Sequence, residues 1–191
     1  MSKNFFEIRN GNFVASEKNK VNNVNLKIEN QGDIISLLGP SGVGKTTILR
    51  TIAGLQKINS GEIYLKNKII SSENFHLEPE KRNVALSFQD NSLFPNYKVI
   101  DNINFGKKRS NENGSIIETN DIIKLLHISP ILEKYPHQIS AGEAQRVSLA
   151  RSIISKPDLL LLDEPFSNID QSLKDEIQYS VKNLLKEISL T

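Results

Sequence analysis

Gly39-Pro40-Ser41-Gly42-Val43-Gly44-Lys45-Thr46 sets its residues at the spacing G-x-x-x-x-G-K-[ST]. Glycines let the backbone curl until its N–H groups converge on phosphate oxygens. A helix opening near Lys45 adds the positive end of its dipole to the same point. There Lys45 reaches the β- and γ-phosphates of a nucleotide and Thr46 offers its hydroxyl to Mg2+, with Thr47 next along. A plain Gly-rich turn before a helix is the blander account. The position between an apolar run and a helical stretch favours the phosphate loop.

Farther along, Leu159-Leu160-Leu161-Leu162 ends in Asp163-Glu164-Pro165. In open α/β sheets ligands lie outside the carboxyl ends of the strands. Asp163 at such an end can hold Mg2+, directly or through water, and Glu164 can polarise an attacking water as a general base. Ser140-Ala141-Gly142-Glu143 reads as a capping box, with Ser140 as N-cap and Glu143 three residues on. A capped helix start beside a glycine is also an anion site, so the two readings do not compete.

These groups need elements to hold them. Val24, Leu26 and Ile28 alternate with polar residues, the pattern of a half-buried strand. Ile34-Ile35-Ser36-Leu37-Leu38 predicts a buried strand that delivers the phosphate loop, and Ile48, Leu49 and Ile52 a helix ending at Gly54. Ile63, Leu65, Ile69 and Ile70 suggest a strand pair, and Val84 to Phe88 another strand. From about residue 93 to 139 the character is helical, with Val99/Ile103 and Ile122/Leu126 at steps of four. A helix follows from Ala141 to Ser155. The last helix sets Leu173, Ile177, Val181, Leu184 and Ile188 on one face.

The 191 residues suffice for one domain. The net charge of +2 points to no nucleic-acid partner, and Lys107-Lys108-Arg109 sits among Ser, Asn, Glu and Gly as a solvated loop would. Without cysteine there is no disulfide, thiolate metal site or Cys nucleophile. No apolar run approaches the ~18 residues of a membrane span, so a membrane role must come through a partner.

Ile139-Ser140-Ala141-Gly142-Glu143-Ala144-Gln145-Arg146 resembles the signature motif of ABC transporter ATP-binding subunits, usually Leu-Ser-Gly-Gly-Gln. Phe88-Gln89 is similar to that family's Q-loop and Ser167-Asn168-Ile169-Asp170 to its D-loop; the resemblance spans essentially the whole chain. It implies an α/β P-loop NTPase core with a mostly parallel sheet, an N-terminal antiparallel β part and an inserted helical subdomain. The nucleotide-binding core would take about residues 1–92 and 140–191, the insertion about 93–139. ATP and Mg2+ would be bound by residues 39–47, with Gln89 at the metal and the attacking water and Phe13 stacked on adenine. Ser140, Gly142 and Glu143 would face the ATP of a second, identical ATP-binding subunit. Ala141 for Gly and Glu143 for Gln depart from the family pattern.

Glu78-Pro79-Glu80-Lys81-Arg82-Asn83-Val84, Phe88-Gln89-Asp90-Asn91-Ser92-Leu93-Phe94-Pro95 and Asn102-Ile103-Asn104-Phe105-Gly106 resemble the importer branch, and Tyr135-Pro136-His137-Gln138 and Asp163-Glu164-Pro165-Phe166-Ser167-Asn168 lean towards its iron(III) group. That implies integral membrane subunits, a solute-binding protein and a place at the cytoplasmic face of the membrane. Leu93, Phe94 and Tyr97 are the candidate anchors for the membrane subunit. A soluble ABC ATPase without a membrane partner and a nucleotide-binding module without efficient hydrolysis stay open. The family carries a switch histidine after the helix that follows Asp170, whereas His76, His127 and His137 all precede Asp163. The expectation is therefore a shortened form with poor turnover.

Overall fold

The structure, a computed structural model, describes residues 4–14, 20–88, 93–107 and 118–191. The chain divides into two compact units, residues 1–84 with Thr191, and residues 85–190. Gln89, Lys108 and Arg109 lie outside the described residues.

In the first unit, β1 (Phe6–Val14), β2 (Lys20–Ile28), β3 (Ser60–Leu65), β4 (Lys68–Ser72) and β5 (Phe75–His76) form an antiparallel sheet in the order β2-β1-β3-β4-β5. The expected β3–β4 pair closes through Lys66 and Asn67, both at positive φ (50° and 63°), the geometry of a two-residue hairpin whose twist matches its strands. Helix α1 (Lys45–Ala53) packs on β1 and buries Ile48 and Ile52. Gly54 caps it in the left-handed conformation, as expected.

Residues 34–38 differ from expectation. They join no ladder among the described residues, and Leu38 is 91% exposed, Ile35 49%. An apolar run supplies strand propensity, but a strand exists only where a neighbour takes its N–H and C=O groups. Just before the run, the Gly32 N–H donates to Oγ1 of Thr191 at 2.7 Å.

The second unit opens within β6 (Val84–Ser87) and holds α2 (Val99–Lys107), α3 (Thr119–Leu125), α4 (Ala141–Ile154), β7 (Leu159–Leu162) and α5 (Gln171–Glu187). β6 pairs with β7, and the Asp163 N–H donates to the Ser87 carbonyl at 3.1 Å. That bond joins the carboxyl ends of both strands, so the pair runs parallel. Val99, Ile103, Ile122, Leu126, Val147, Leu149, Ile153 and Ile177 form the buried core. The α5 stripe is buried at Ile177, Val181 and Leu185, with Leu184 and Ile188 at its margin. Leu185 joins the buried face beside the expected positions, while Leu184 packs against the core only in part.

Candidate functional site

The phosphate loop lies in the first unit. Gly44 takes φ 107° at the N-cap of α1, where a side chain would be strained and where a Cβ would stand 2.4 Å from Cγ2 of Val21. As a glycine, Gly44 brings no capping side chain, and the first turn of α1 holds no acid. Its amides, which a helix cannot satisfy internally, are thus presented without a competing anion. Residues 39–43 are exposed around them. Lys45 arcs back, its Nζ donating to the carbonyls of Gly39 at 2.8 Å and Pro40 at 2.9 Å. Exposed amides, one ammonium and no carboxylate form a donor set that fits a phosphate chain. The exposed Thr46 hydroxyl fits a hard cation beside it. Thr47 is buried, so what it can offer a phosphate is its backbone N–H.

Sequence reasoning missed what holds the far end of this helix. Arg82 is 1% exposed. Its Nη1 donates to the carbonyls of Thr51 at 2.9 Å and Ile52 at 3.0 Å, and its Nε to that of Leu77 at 2.6 Å. The His76 Nε2–H donates to the Gly54 carbonyl at 3.1 Å, which leaves Nδ1 to accept from Arg82 Nη2 at 3.2 Å. Burial pulls the guanidinium down to about 10, still charged at neutral pH. A cation fixed at a helix C-terminus complements the dipole whose other end faces the phosphate site. Arg82 lies within the Glu78 to Val84 stretch, where its place just before β6 is the one sequence signal.

Phe13 requires correction. It was expected to stack on adenine, but it is 0% exposed on β1, opposite Val21 of β2. A ring sealed in a sheet's core has no free face for a base.

The second unit brings the other expected groups together. Asp163 is buried at the end of β7, and Glu164 follows, exposed, at φ 49°. Ser140 caps α4, its Oγ accepting from the Glu143 N–H at 3.2 Å, while Oε2 of Glu143 accepts from the Ser140 N–H at 2.7 Å. That backbone donor holds the Glu143 carboxyl below its ordinary value. The expected capping box is therefore present. The ionised carboxylate serves the helix start through that bond. A Cβ on Gly142 would meet the Asn168 carbonyl oxygen at 2.5 Å, so the D-loop approaches α4 as only glycine permits.

Gln145, also missed, is 1% exposed. Its Nε2 donates to the Glu164 carbonyl at 2.9 Å and to Oγ of Ser167 at 3.2 Å, and its Oε1 accepts from the Asn168 N–H at 3.0 Å. Of the expected partner anchors, Leu93 packs on the core. Phe94 lies edge-on to Phe105 at 4.6 Å, under the Arg151 guanidinium at 5.3 Å. Tyr97 alone of the three is exposed, at 49%.

A phosphate loop at a helix start and an acidic pair closing a parallel strand define a nucleotide-binding protein of the P-loop class. The ABC transporter family's sequence profile matches residues 21–167, and the chain belongs to that family. It is 40% identical over 173 residues to the Fe(3+) ions import ATP-binding protein FbpC of Fusobacterium nucleatum, covering 90% of this chain and 45% of the relative. It is 40% identical to the spermidine/putrescine import ATP-binding protein PotA of Nitrosospira multiformis, covering 97% of this chain and 50% of the relative. The chain thus spans about half the length of the curated relatives it matches. Among solved structures it matches the dimeric ATP-binding cassette MJ0796 bound to ADP and Pi with a TM-score of 0.78 at 25% identity, covering 95% of this chain and 83% of that one. It matches cbiO1 of Clostridium perfringens, part of the transporter complex cbiONQ, with 0.76 at 26%, covering 99% and 76%. The fold is that of the ABC cassettes, an α/β P-loop core.

Proposed function

We propose that this chain is the ATP-binding subunit of an ABC importer for iron(III) or another small solute. The observation that carries the reading is the acid-free start of α1, with exposed residues 39–43 before it and the Lys45 ammonium turned back on the Gly39 and Pro40 carbonyls. Lys45 binds the β- and γ-phosphates of ATP, residues 39–44 and the amides of Thr46 and Thr47 cradle them, and Thr46, Asp163 and Gln89 hold Mg2+. The metal would neutralise charge on the phosphates. Glu164 polarises the attacking water, with Gln89 beside it.

Residues 1–191 act as a single ABC ATPase domain, with a core of about 1–92 and 140–191 and a helical insertion of about 93–139. Ser140 and Gly142 face the ATP of a second, identical subunit. ATP thereby favours the closed pair, and the cycle drives integral membrane subunits served by a solute-binding protein. The subunit works at the cytoplasmic face of the membrane and binds no nucleic acid. That no helix among the described residues is long and apolar enough to cross a membrane agrees with attachment through partners. The importer names carried by its relatives support the branch.

Calorimetry with MgATP on the native chain and Lys45→Ala tests the reading. The expected result is a loss of affinity of about tenfold or more, since a charge-assisted contact to phosphate is removed. Equal affinities would sink the assignment.

A further inference from the structure

We infer that Gln145 is the positioning residue for Glu164 and the segment 164–168, so that the helix start at Ser140 and the proposed general base move as one body. The inference rests, for its catalytic meaning, on the function proposed above.

A glutamine buried inside a helix is costly unless both ends of its amide are satisfied. Here the partners fix which end is which. The Glu164 carbonyl can only accept and the Asn168 N–H can only donate, so Nε2 must face the first and Oε1 the second. The group so held is unusual. Glu164 sits at φ 49°, a left-handed conformation that an L side chain adopts only when its surroundings enforce it. Its carbonyl takes two donors, Gln145 Nε2 and the Ser167 N–H at 3.2 Å.

Independent contacts key the same helix to both sides of the acidic pair. One turn before Gln145, Gly142 meets the Asn168 carbonyl, so both backbone groups of Asn168 lie against α4. On the same face, Ser148 Oγ lies 3.4 Å from Ser87 Oγ, and the Ser87 carbonyl receives the Asp163 N–H. An apolar face would tolerate small slides of α4. Directional polar contacts from 145 and 148 to the segments on both sides of the acidic pair favour one register. A displacement of Ser140 and Gly142 is therefore delivered to the backbone of Glu164 through Gln145.

The test compares Gln145→Glu and Gln145→Leu with the native protein. Ionised, Gln145→Glu keeps the shape but turns a donor into an acceptor against the Glu164 carbonyl; protonated, it donates again. Its turnover near pH 8 should fall about tenfold or more relative to native. MgATP affinity should stay within about twofold, a loss in kcat and not in binding. The deficit should shrink as pH falls, which Gln145→Leu should not reproduce. A crystal structure of Gln145→Leu should show Glu164 leaving the left-handed region. Glu164 still near φ 49° in Gln145→Leu, or a Gln145→Glu chain with native turnover, would overturn the inference. Where native turnover is itself too slow to read, the Glu164 conformation decides. Unchanged ATP affinity in Lys45→Ala would remove the nucleotide reading and leave the positioning result standing.

Discussion

The Arg82 guanidinium closes the C-terminus of the helix whose N-terminus faces the phosphate site, donating to the Thr51 carbonyl at 2.9 Å. The same group holds Ile52 and Leu77, so one side chain ties α1 to the stretch that leads into β6. Arg82→Met leaves those carbonyls without their buried donor and should cost on the order of 3 kcal/mol. Arg82→Lys should recover less than half, because an ammonium cannot reproduce the planar fork. Urea melts of the three proteins decide it; a native midpoint for Arg82→Met would refute the assignment.

Phe13→Ala separates the core reading from adenine stacking. Removing a fully buried ring should cost about 3–5 kcal/mol of stability. MgATP affinity of the folded fraction should be unchanged, as titration under stabilising conditions will read. A clear loss of affinity would return the ring to the nucleotide.

Glu7 gives the sheet of the first unit a pH dependence. The Arg9 guanidinium, donating at 2.7 Å, holds its carboxyl at about 2 against an ordinary 4.5. A depressed carboxylate contributes stability above its unfolded value and loses it as pH falls through the folded one. Native stability should therefore decline between about pH 4.5 and 2 more steeply than that of Glu7→Gln. Parallel acid titrations by circular dichroism would disprove this by superimposing.

Ser140→Ala removes the Oγ that accepts from the Glu143 N–H and should cost about 1 kcal/mol. Gly142→Ala should act differently, pushing the Asn168 backbone away, lowering the melting temperature and weakening ATP-dependent dimer formation. Sedimentation with and without MgATP checks the pair. Identical dimerisation by Gly142→Ala and native protein would refute the role of this approach.

Asn102 fastens the segment proposed to meet the membrane subunit. Fully buried, it accepts from the Phe94 N–H at 2.8 Å and donates to the carbonyls of Tyr97 at 3.1 Å and Lys98 at 3.2 Å. Tyr97→Ala should weaken co-purification with the membrane subunit at unchanged stability. Phe94→Ala should lower stability, because its ring is packed by Phe105 and Arg151. Co-purification unaffected by Tyr97→Ala would make that residue ordinary surface.

The sequence by itself determined what local chemistry can write. The phosphate loop, the acidic pair and the capping box each depend on residues a few positions apart, and spacing alone fixes which groups share a turn. The helices around Ile103, Leu126 and Ile177 were legible for the same reason, since burial on one side imprints a period near 3.6. Tertiary structure decided everything that rests on partners distant in the chain. Phe13 read equally well as a stacking ring or a core ring until folding buried it completely. Ile34 to Leu38 read as a strand, yet pairing is a property of two segments and no neighbour takes up their ladder among the described residues. Nothing in the spacing around Arg82 or Gln145 marks either side chain as buried. Only folding sets Arg82 against Thr51, 31 positions back, and Gln145 against Glu164, 19 positions ahead. A buried hydrogen bond leaves no periodicity in the sequence. Its evidence is the donor and acceptor it satisfies, and these meet only when the chain has packed.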